Sequence, residues 1–371
     1  MPIPPKLQRL SVSMIIGSAF FTSLAGCGGG SSLSTSSQTL GGLNTLVTLS
    51  STVDTANGDT NPYGIAIAPP ASSFTTAGVY KPGDVLVSNF NNSAGTNGAG
   101  TTIEDVMTGQ PVRVAQETTS SGPAALAFSV NGAFSVANFG LGTTSNPGDV
   151  QEYAQTGVLS SVLTDPSVEY GWGQASNGGY GGKNCFFSVN EYNGDIVRIN
   201  VTTASNGVST YTFDQLSGDL GHTMSGFGGG PVGPSALVHD SNDTLYILNS
   251  YSNSIMAIPN ATTAPVSNNL SNVLLIYYDN SGKYLDQPIG MTLNPINNDL
   301  IVANQKSNTL VEINPLNRSI VAVKTVDPTA VNQTTGAGSA LFGVAATSDT
   351  NGNLVIYYTD DNTNTVMKLS K

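Results

Sequence analysis

The sequence predicts an all-β protein, specifically a six-bladed β-propeller, from three observations. Short apolar strands follow one another through residues 43–371 without the 3.6-residue spacing of a helix. One pattern of strands and turns recurs six times, with copies starting near residues 62, 123, 171, 234, 288 and 342. Each copy has room for four strands, and short strands repeated in this way are typical of a radial array of small sheets.

Each copy of the repeat begins with a turn, usually containing Pro or Gly, and continues as three apolar strands separated by polar turns. The second strand ends in Asn or Asp, and the clearest copies are 233–259 and 287–314. A fourth strand is visible in several copies, at 211–213, 274–278 and 319–323. Strands bounded so regularly by turn residues predict antiparallel blades.

The two ends of the chain predict how the ring closes. After Leu369 no residues remain for a fourth strand of the last copy, whereas 46–49 form a spare apolar strand ahead of the first copy. We therefore expect the N-terminal strand to complete the last blade, which removes open sheet edges. The copy around 185–200 departs most from the pattern, so a seven-bladed ring is the alternative.

A resemblance to known repeats supports this prediction. Residues 301–315, Ile-Val-Ala-Asn-Gln-Lys-Ser-Asn-Thr-Leu-Val-Glu-Ile-Asn-Pro, resemble the repeats of NHL-type and YVTN-type β-propellers. In those repeats a strand ends in Asn or Asp, a tight turn follows and the next strand begins. The resemblance covers about residues 43–371 and implies the fold but no particular activity, because NHL-like propellers include scaffolds, binding proteins and hydrolases.

The N-terminus is predicted to be an export signal. Lys6 and Arg9 precede an apolar segment, 10–24, that is too short to span a membrane comfortably as a helix. Residues 24–27, Leu-Ala-Gly-Cys, resemble the lipobox of bacterial lipoproteins, which implies cleavage before Cys27 and acylation of its thiol. An ordinary signal peptide or membrane anchor with an incidental cysteine is the alternative.

The lipoprotein resemblance divides the chain into three parts. They are a signal peptide at 1–26, a Gly/Ser-rich tether at 27–42 and the propeller at 43–371. The membrane is then a partner through the lipid anchor. Gly28 follows the cysteine where Asp would favour retention in the inner membrane of enteric-type bacteria, so the resemblance implies the outer membrane of a bacterial cell envelope.

The composition excludes some functions. The chain has 10% charged residues and a net charge of −12, whereas ordinary domains carry roughly 25% charged residues. An acidic chain is unsuited to nucleic acid, which needs a basic surface. Few cations suit an acidic extracytoplasmic habitat, because an excess of positive charge destabilises a protein once its carboxylates are protonated. A composition common to exported proteins is the alternative.

The residues that end the second strands are predicted to have a structural role. Asn and Asp side chains cap tight turns by accepting hydrogen bonds from backbone N–H groups nearby. A binding site rarely needs the same side chain in every blade, so we interpret the set as turn caps rather than as a ring of ligands. The set is Asn89, Asn138, Asn190, Asn249, Asn304 and Asp360.

Candidate ligand-binding residues lie in long loops expected on one face of the ring, because binding residues concentrate on loops of rigid scaffolds. The longest of these loops are 90–100, 139–148 and 216–233, in blades 1–4, whereas blades 5 and 6 are expected to have short turns. Variation without function in Gly/Asn/Ser-rich loops of an exported protein is the alternative. The candidates are Phe90, Phe139, Trp172, His222, Met224 and Phe227.

The function predicted from these observations is that of a lipid-anchored binding or scaffold protein, with an envelope protein or a glycan as partner. A propeller enzyme, either a lactonase-like hydrolase or an oxidoreductase with its site in the central channel, is the alternative, and a purely structural envelope component is a third possibility. Lactonases of the SMP-30-like propellers bind a divalent ion through carboxylates at the channel mouth. No carboxylate stands among the residues expected there, so neither a metal nor a cofactor is predicted.

Overall fold

Six four-stranded antiparallel sheets form the protein in the computed structural model, which describes residues 36–70, 74, 78–205 and 207–371. This is a six-bladed β-propeller. The strands are β1 Thr45–Ser51, β2 Thr60–Ile67, β3 Val85–Asn91, β4 Thr102–Asp105, β5 Val112–Gln116, β6 Pro123–Phe128, β7 Phe134–Asn138, β8 Val150–Tyr153, β9 Leu159–Leu163, β10 Gly171–Ser176, β11 Cys185–Asn190, β12 Asp195–Thr203, β13 Ser209–Gln215, β14 Pro234–His239, β15 Thr244–Asn249, β16 Ser254–Pro259, β17 Leu274–Tyr278, β18 Pro288–Leu293, β19 Leu300–Asn304, β20 Thr309–Asn314, β21 Ser319–Thr325, β22 Leu341–Ser348, β23 Leu354–Asp360 and β24 Thr365–Ser370.

Blades 1 to 5 each use four consecutive strands, from β2–β5 to β18–β21, ordered from the inside of the ring outwards. Blade 6 has the order β22-β23-β24-β1, with Thr45 paired to Ser370 and Ser51 to Thr365. The N-terminal strand therefore closes the last blade, as predicted, and the six-bladed prediction is confirmed over the seven-bladed alternative. The irregular third copy is a complete blade, β10–β13.

Second strands are the most deeply buried parts of the blades. Every residue of β7, β11, β19 and β23 is buried, whereas the outer strands β9 and β17 are partly exposed. A second strand has a neighbouring blade against each of its faces, so both sets of alternating side chains must be apolar or small. This explains why these segments read as continuous apolar runs rather than as alternating ones.

Glycines let the inner strands approach one another around the axis. A Cβ atom on Gly290 would lie 2.1 Å from the backbone oxygen of Phe342 in the next blade, and one on Gly343 would lie 2.3 Å from that of Tyr63. Backbone cannot move away as a flexible side chain can. These positions therefore require glycine because of close packing between blades rather than because of their backbone dihedral angles.

The N-terminal segment docks on one face of the ring, which we call the lower face. The lower face carries the turns between first and second strands, and the upper face carries the turns between second and third strands. Leu40 is fully buried, its N–H donates to Glu312 Oε2 at 2.7 Å, and Ser37 O accepts from Leu354 N at 2.9 Å. The segment just ahead of the predicted propeller boundary at residue 43 therefore packs against the ring.

Candidate functional site at the upper face

The central channel is narrow. It contains a cavity of about 80 Å³ lined by residues of all six inner strands, among them Gly173, Gln174, Ser235 and Met291. Pockets for small organic ligands typically measure about 300–1,000 Å³. The channel is therefore of a size for a few water molecules, and its lining consists of apolar and uncharged polar residues.

Aromatic side chains close the upper end of the channel. Tyr63 stacks on Phe90 and on Phe342 with ring centroids 4.3 and 3.9 Å apart, and Trp172 meets Tyr63 edge-on at 5.3 Å. Phe139 adds an edge contact to Trp172 at 5.2 Å. We call these five residues the aromatic plug. Offset-stacked and edge-to-face geometries of this kind are the stable arrangements of aromatic rings.

Three of the predicted ligand-binding residues thus belong to the core of the ring. Phe90, Phe139 and Trp172 are 2%, 7% and 8% exposed, so a ligand on the upper face would scarcely touch them. The sequence assigned them to loops, but each side chain turns inward toward the axis. Tyr63 and Phe342, which hold the same position in their repeats as Trp172, were not among the predicted site residues.

The other three predicted residues, His222, Met224 and Phe227, lie in the loop 217–233, which we call the arm. Thr223 and Val232 exchange two backbone hydrogen bonds, of 2.8 and 2.9 Å, which fold the arm back on itself. At its tip, Lys306 Nζ lies 5.1 Å from the centre of the Phe227 ring. The arm therefore reaches across the upper face from blade 4 to blade 5.

The arm meets a second long loop, 326–340, which leads into blade 6. A Cβ atom on Gly336 would lie 3.2 Å from Gly228 Cα and 3.6 Å from the Phe227 ring. Our expectation that blades 5 and 6 carry only short turns was wrong. The composition of this loop is that of an ordinary turn-rich connection, but the loop is long and folds against the arm. Long loops on the upper face therefore extend to blades 5 and 6.

Two exposed tyrosines flank the base of the arm. Tyr192 is 47% exposed and stacks on buried Tyr170 at 4.9 Å, whereas Tyr251 is 39% exposed and packs against Gly221 of the arm. Met224 in the arm is 39% exposed. We call Tyr192, Met224 and Tyr251, with His222, the tyrosine patch.

The patch could have been found in the sequence. Tyr192 follows Asn190 by two residues, and Tyr251 follows Asn249 by two, so both occupy the same position in adjacent repeats. A comparison of the residues that follow the repeated Asn in each repeat identifies this pair of tyrosines, whereas the Asn itself does not.

A buried carboxyl group lies under the base of the arm. Glu191 is 1% exposed, and its Oε2 atom accepts no hydrogen bond from a described residue. Burial raises the pKa of Glu191 well above its usual range, because the charged form is desolvated. A Cβ atom on Gly233 would lie 3.4 Å from Glu191 Oε1 and 3.0 Å from His222 Cβ, so this buried carboxyl group is a close neighbour of the histidine.

The His222 ring is oriented by Asp219, whose Oδ1 atom lies 3.0 Å from Nδ1. Burial raises the pKa of nearby Asp195 to about 6, with a further contribution from the charge on Asp219. A histidine held by one carboxylate and lying beside a buried carboxyl group can exchange hydrogen bonds with a polar partner. The tyrosines beside it supply rigid apolar area.

The residues predicted as turn caps are all buried, at 6% exposure or less. The Asn190, Asn249 and Asp360 side chains each accept a backbone N–H three residues on, at 3.0–3.2 Å. The Asn89 and Asn304 amides donate to the carbonyls of Thr52 and Tyr284, in the loops that enter their own blades. Asn138 differs, since its amide donates to the Asp149 carboxylate at 2.7 Å.

Cys27 lies outside the described residues. Within residues 36–371, apart from the few positions left out, no helix is long and apolar enough to cross a membrane. The same part of the chain brings together no group of three or more His, Cys, Asp or Glu residues suited to a metal ion.

A wider cavity, of about 420 Å³, lies on the lower rim between blades 2 and 3. Tyr211 donates its hydroxyl proton to Glu152 there, and Ser161 Oγ lies 2.8 Å from the same hydroxyl. The rest of the lining combines polar residues such as Asn131 and Asn184 with apolar ones such as Phe134, Phe186 and Val201.

Comparisons with solved structures support the fold. No family profile and no curated protein matches the sequence. Among similar structures is a catalytically inactive virginiamycin B lyase from Staphylococcus aureus with quinupristin, at 13% identity and a TM-score of 0.51, covering 88% of this chain and 99% of that one. An auxiliary nutrient binding protein from Bacteroides thetaiotaomicron is 10% identical with a TM-score of 0.51, covering 88% and 76%. A chain of the nidogen/laminin complex is 11% identical with a TM-score of 0.50, covering 80% and 96%.

These similar structures define the class of this chain, which is a β-propeller. They include an enzyme, a nutrient binding protein and a member of a protein complex, so the shared fold specifies no activity. Any function must be argued from the site itself.

Proposed function

We propose that this protein is a lipid-anchored, extracytoplasmic binding protein of the bacterial cell envelope that recognises a partner protein through the tyrosine patch. The observation that carries the proposal is the pair of exposed tyrosines on either side of the arm. Tyrosine and methionine are enriched in the cores of protein interfaces, where charged residues are depleted. Tyr192 has a buried aromatic neighbour that holds its ring in place, which reduces the entropy lost on binding.

The path of the N-terminal segment supports an anchor of this kind. Residues 36–43 lie on the lower face, between blades 5 and 6, whereas the tyrosine patch lies on the upper face. Nine residue steps separate Cys27 from Ser36, which span at most ~32 Å. A lipid on Cys27 would therefore tether the protein from its lower face, opposite the tyrosine patch.

Loss of the tyrosine patch is expected to abolish partner capture. We would replace Tyr192 and Tyr251 with serine and compare the amounts of envelope protein cross-linked to the wild-type and variant proteins in the native host, using quantitative mass spectrometry. Truncation of two interface anchors typically costs more than 1 kcal/mol each, which predicts a loss of roughly tenfold or more for the specific partner.

The matched control is Leu316→Ser. Leu316 is 89% exposed on the lower face, so it tests whether removing any exposed apolar side chain lowers capture. Equal capture by the double-tyrosine variant and the wild type would refute the patch. Loss of glycan binding instead of protein capture would show that the patch serves a different ligand.

Lipidation makes a separate prediction. Cells fed labelled palmitate should incorporate it into the wild-type protein but not into Cys27→Ser, and the variant should leave the membrane fraction. Cys185→Ser is the matched control, because that thiol is 1% exposed within the propeller. Label that persists in Cys27→Ser would contradict the anchor while leaving the binding proposal open to its own test.

The central channel offers little support for the enzymatic alternative, because its lining is uncharged and it has room for only a few waters. Glu191 and the Asp219–His222 pair are better candidates for catalytic groups. His222→Ala separates the two functions. Loss of one side chain from a binding patch should weaken partner binding only in part, whereas loss of an acid–base catalyst should abolish turnover.

A further inference from the structure

The surface around the tyrosine patch is acidic and has no cation of its own. Four segments form it, 164–171, 190–195, 216–233 and 249–254, and they contain no lysine or arginine. Their carboxyl groups belong to Asp165, Glu169, Glu191, Asp195 and Asp219. A partner with positive charge would complement this surface, whereas an acidic partner would be repelled by it.

The base of the arm lies between the two exposed tyrosines. On one side, Leu220 N donates to Gly194 O at 3.0 Å, two residues after Tyr192. On the other side, a Cβ atom on Gly221 would lie 3.2 Å from Cδ1 of the Tyr251 ring. Both tyrosines therefore border the same short segment of backbone, and one side chain of a partner can contact both.

An exposed carboxylate lies in that segment. The Asp219 side chain is 57% exposed, and its Oδ1 atom accepts from Gly221 N at 2.7 Å and lies 3.0 Å from His222 Nδ1. A Cβ atom on Gly194 would lie 2.5 Å from the same oxygen, which places the carboxylate against the turn that carries Tyr192. No described residue donates to Oδ2 of Asp219, so this oxygen is available to a partner.

The aromatic rings of the upper face already receive cations. Lys283 Nζ lies 4.6 Å from the centre of the Tyr284 ring, and Lys306 Nζ lies 5.1 Å from that of Phe227. The Tyr192 ring is stacked on Tyr170 through one face and is 47% exposed, so its other face is open to solvent. The face of an aromatic ring carries negative partial charge, which attracts a cation.

We propose that the tyrosine patch receives an arginine side chain of the partner protein, which packs on the rings of Tyr192 and Tyr251 and pairs with the Asp219 carboxylate. This inference rests on the proposed function and specifies the chemistry of the partner. Arginine fits better than lysine, because its planar guanidinium group stacks on a ring while its N–H groups donate to a carboxylate. The acidic surroundings would also attract a basic segment of the partner before contact.

Binding of a hexa-arginine peptide tests the chemistry without knowledge of the partner. The peptide is added to the protein at low ionic strength, and the methyl NMR signal of Met224, which is 39% exposed within the patch, reports binding. Hexa-citrulline, which has the same shape but no charge, is the control peptide. We expect the arginine peptide to shift the Met224 signal in a saturable way and the citrulline peptide to leave it in place.

Substitutions of both tyrosines separate a cation site from an apolar one. The double variant Tyr192→Leu/Tyr251→Leu keeps apolar area but loses both aromatic faces, so it should raise the Kd of hexa-arginine roughly tenfold. The matched double variant Tyr192→Phe/Tyr251→Phe keeps the rings and should bind within about twofold of the wild type. Equal affinity of the two double variants would overturn the inference, since the rings would then not hold a cation.

Asp219→Asn tests the counter-ion. Asparagine keeps the acceptor for Gly221 N but removes the charge, which should raise the Kd of hexa-arginine about threefold. The matched control is Asp349→Asn on the lower face, where Oδ1 likewise accepts from a backbone N–H two residues on, that of Asn351 at 2.8 Å. That variant should bind as the wild type does, and equal affinity of the two Asp→Asn variants would overturn the role of Asp219.

Failure of this inference can be distinguished from failure of the proposed function. If the serine variants of the tyrosines lose the cross-linked partner while hexa-arginine binds equally to all variants, the patch binds a partner but not through a cation, and only the inference is overturned. If the serine variants keep the partner, the proposed function fails, whatever the peptide does.

Discussion

Phe90→Ala is expected to lower the free energy of unfolding by about 3–5 kcal/mol, the cost of truncating a buried aromatic ring. Phe90 is 2% exposed and contacts three other rings of the aromatic plug, with centroids 4.3, 5.5 and 6.2 Å away. Its neighbours come from several blades. They cannot close over the vacated space without shifting the ring of inner strands, whose glycines already place backbones in contact.

Denaturant unfolding of Phe90→Ala measures this cost. The control is Tyr180→Ala, which removes a ring that is 41% exposed on the lower face and should cost under about 1 kcal/mol. Similar losses in the two variants would mean that the plug is loosely packed. The channel would then be open to ligands, contrary to the site described above.

The protein is expected to be more stable at pH 4.5–5 than at pH 8, which is unusual for a globular protein. Burial raises the pKa of several carboxyl groups, that of Glu104 to about 8 with the help of neighbouring Asp54, and those of others to about 6. The others are Asp105, Asp195, Asp299 and Asp361. These groups bind protons more tightly in the folded than in the unfolded chain, so stability increases as pH falls from 8 toward the unfolded pKa values.

A second set of carboxyl groups sets the lower limit of this range. Hydrogen bonds from Arg198, Thr262 and Ser281 outweigh desolvation and lower the pKa of Asp214, Asp243 and Asp279 respectively. The stability that these three groups contribute is present above the unfolded pKa and is lost as pH falls through their folded values. Stability should therefore be maximal near pH 4–5. A gain of several kcal/mol in the free energy of unfolding over pH 8 corresponds to an increase of roughly 5–10 °C in Tm.

Thermal melts from pH 3 to 9, in EDTA so that bound cations do not contribute, test this dependence. Glu104→Gln should flatten the decline between pH 5 and 8, because it removes a group that folds protonated and must ionise as pH rises. A Tm that rises steadily to pH 8 would contradict the prediction and with it the hypothesis of an acidic habitat.

Repeated local patterns in the sequence predict the number of blades. Strand, turn and terminal Asn recur within each copy, and a blade needs little beyond these neighbours to form. The closure by β1 was equally predictable, because the last copy lacks a strand and the first 50 residues contain an extra one. Each of these inferences depends on residues close together in the chain.

The site was less predictable, because it depends on residues far apart in the chain. Phe90 in blade 1 and Trp172 in blade 3 have a whole blade between them in sequence but meet at the axis, so their burial follows from ring closure and not from their own segments. The arm and the loop 326–340 touch for the same reason.

The number of blades and the manner of closure follow from the sequence alone, because local hydrogen bonding and apolar periodicity encode them. Which aromatic residues are core and which are surface, and which carboxyl groups are buried, depends on tertiary packing. Burial is a property of the assembled ring. Long-range packing, which no single repeat specifies, sets both the solvent exposure of Tyr192 and the desolvation of Glu117.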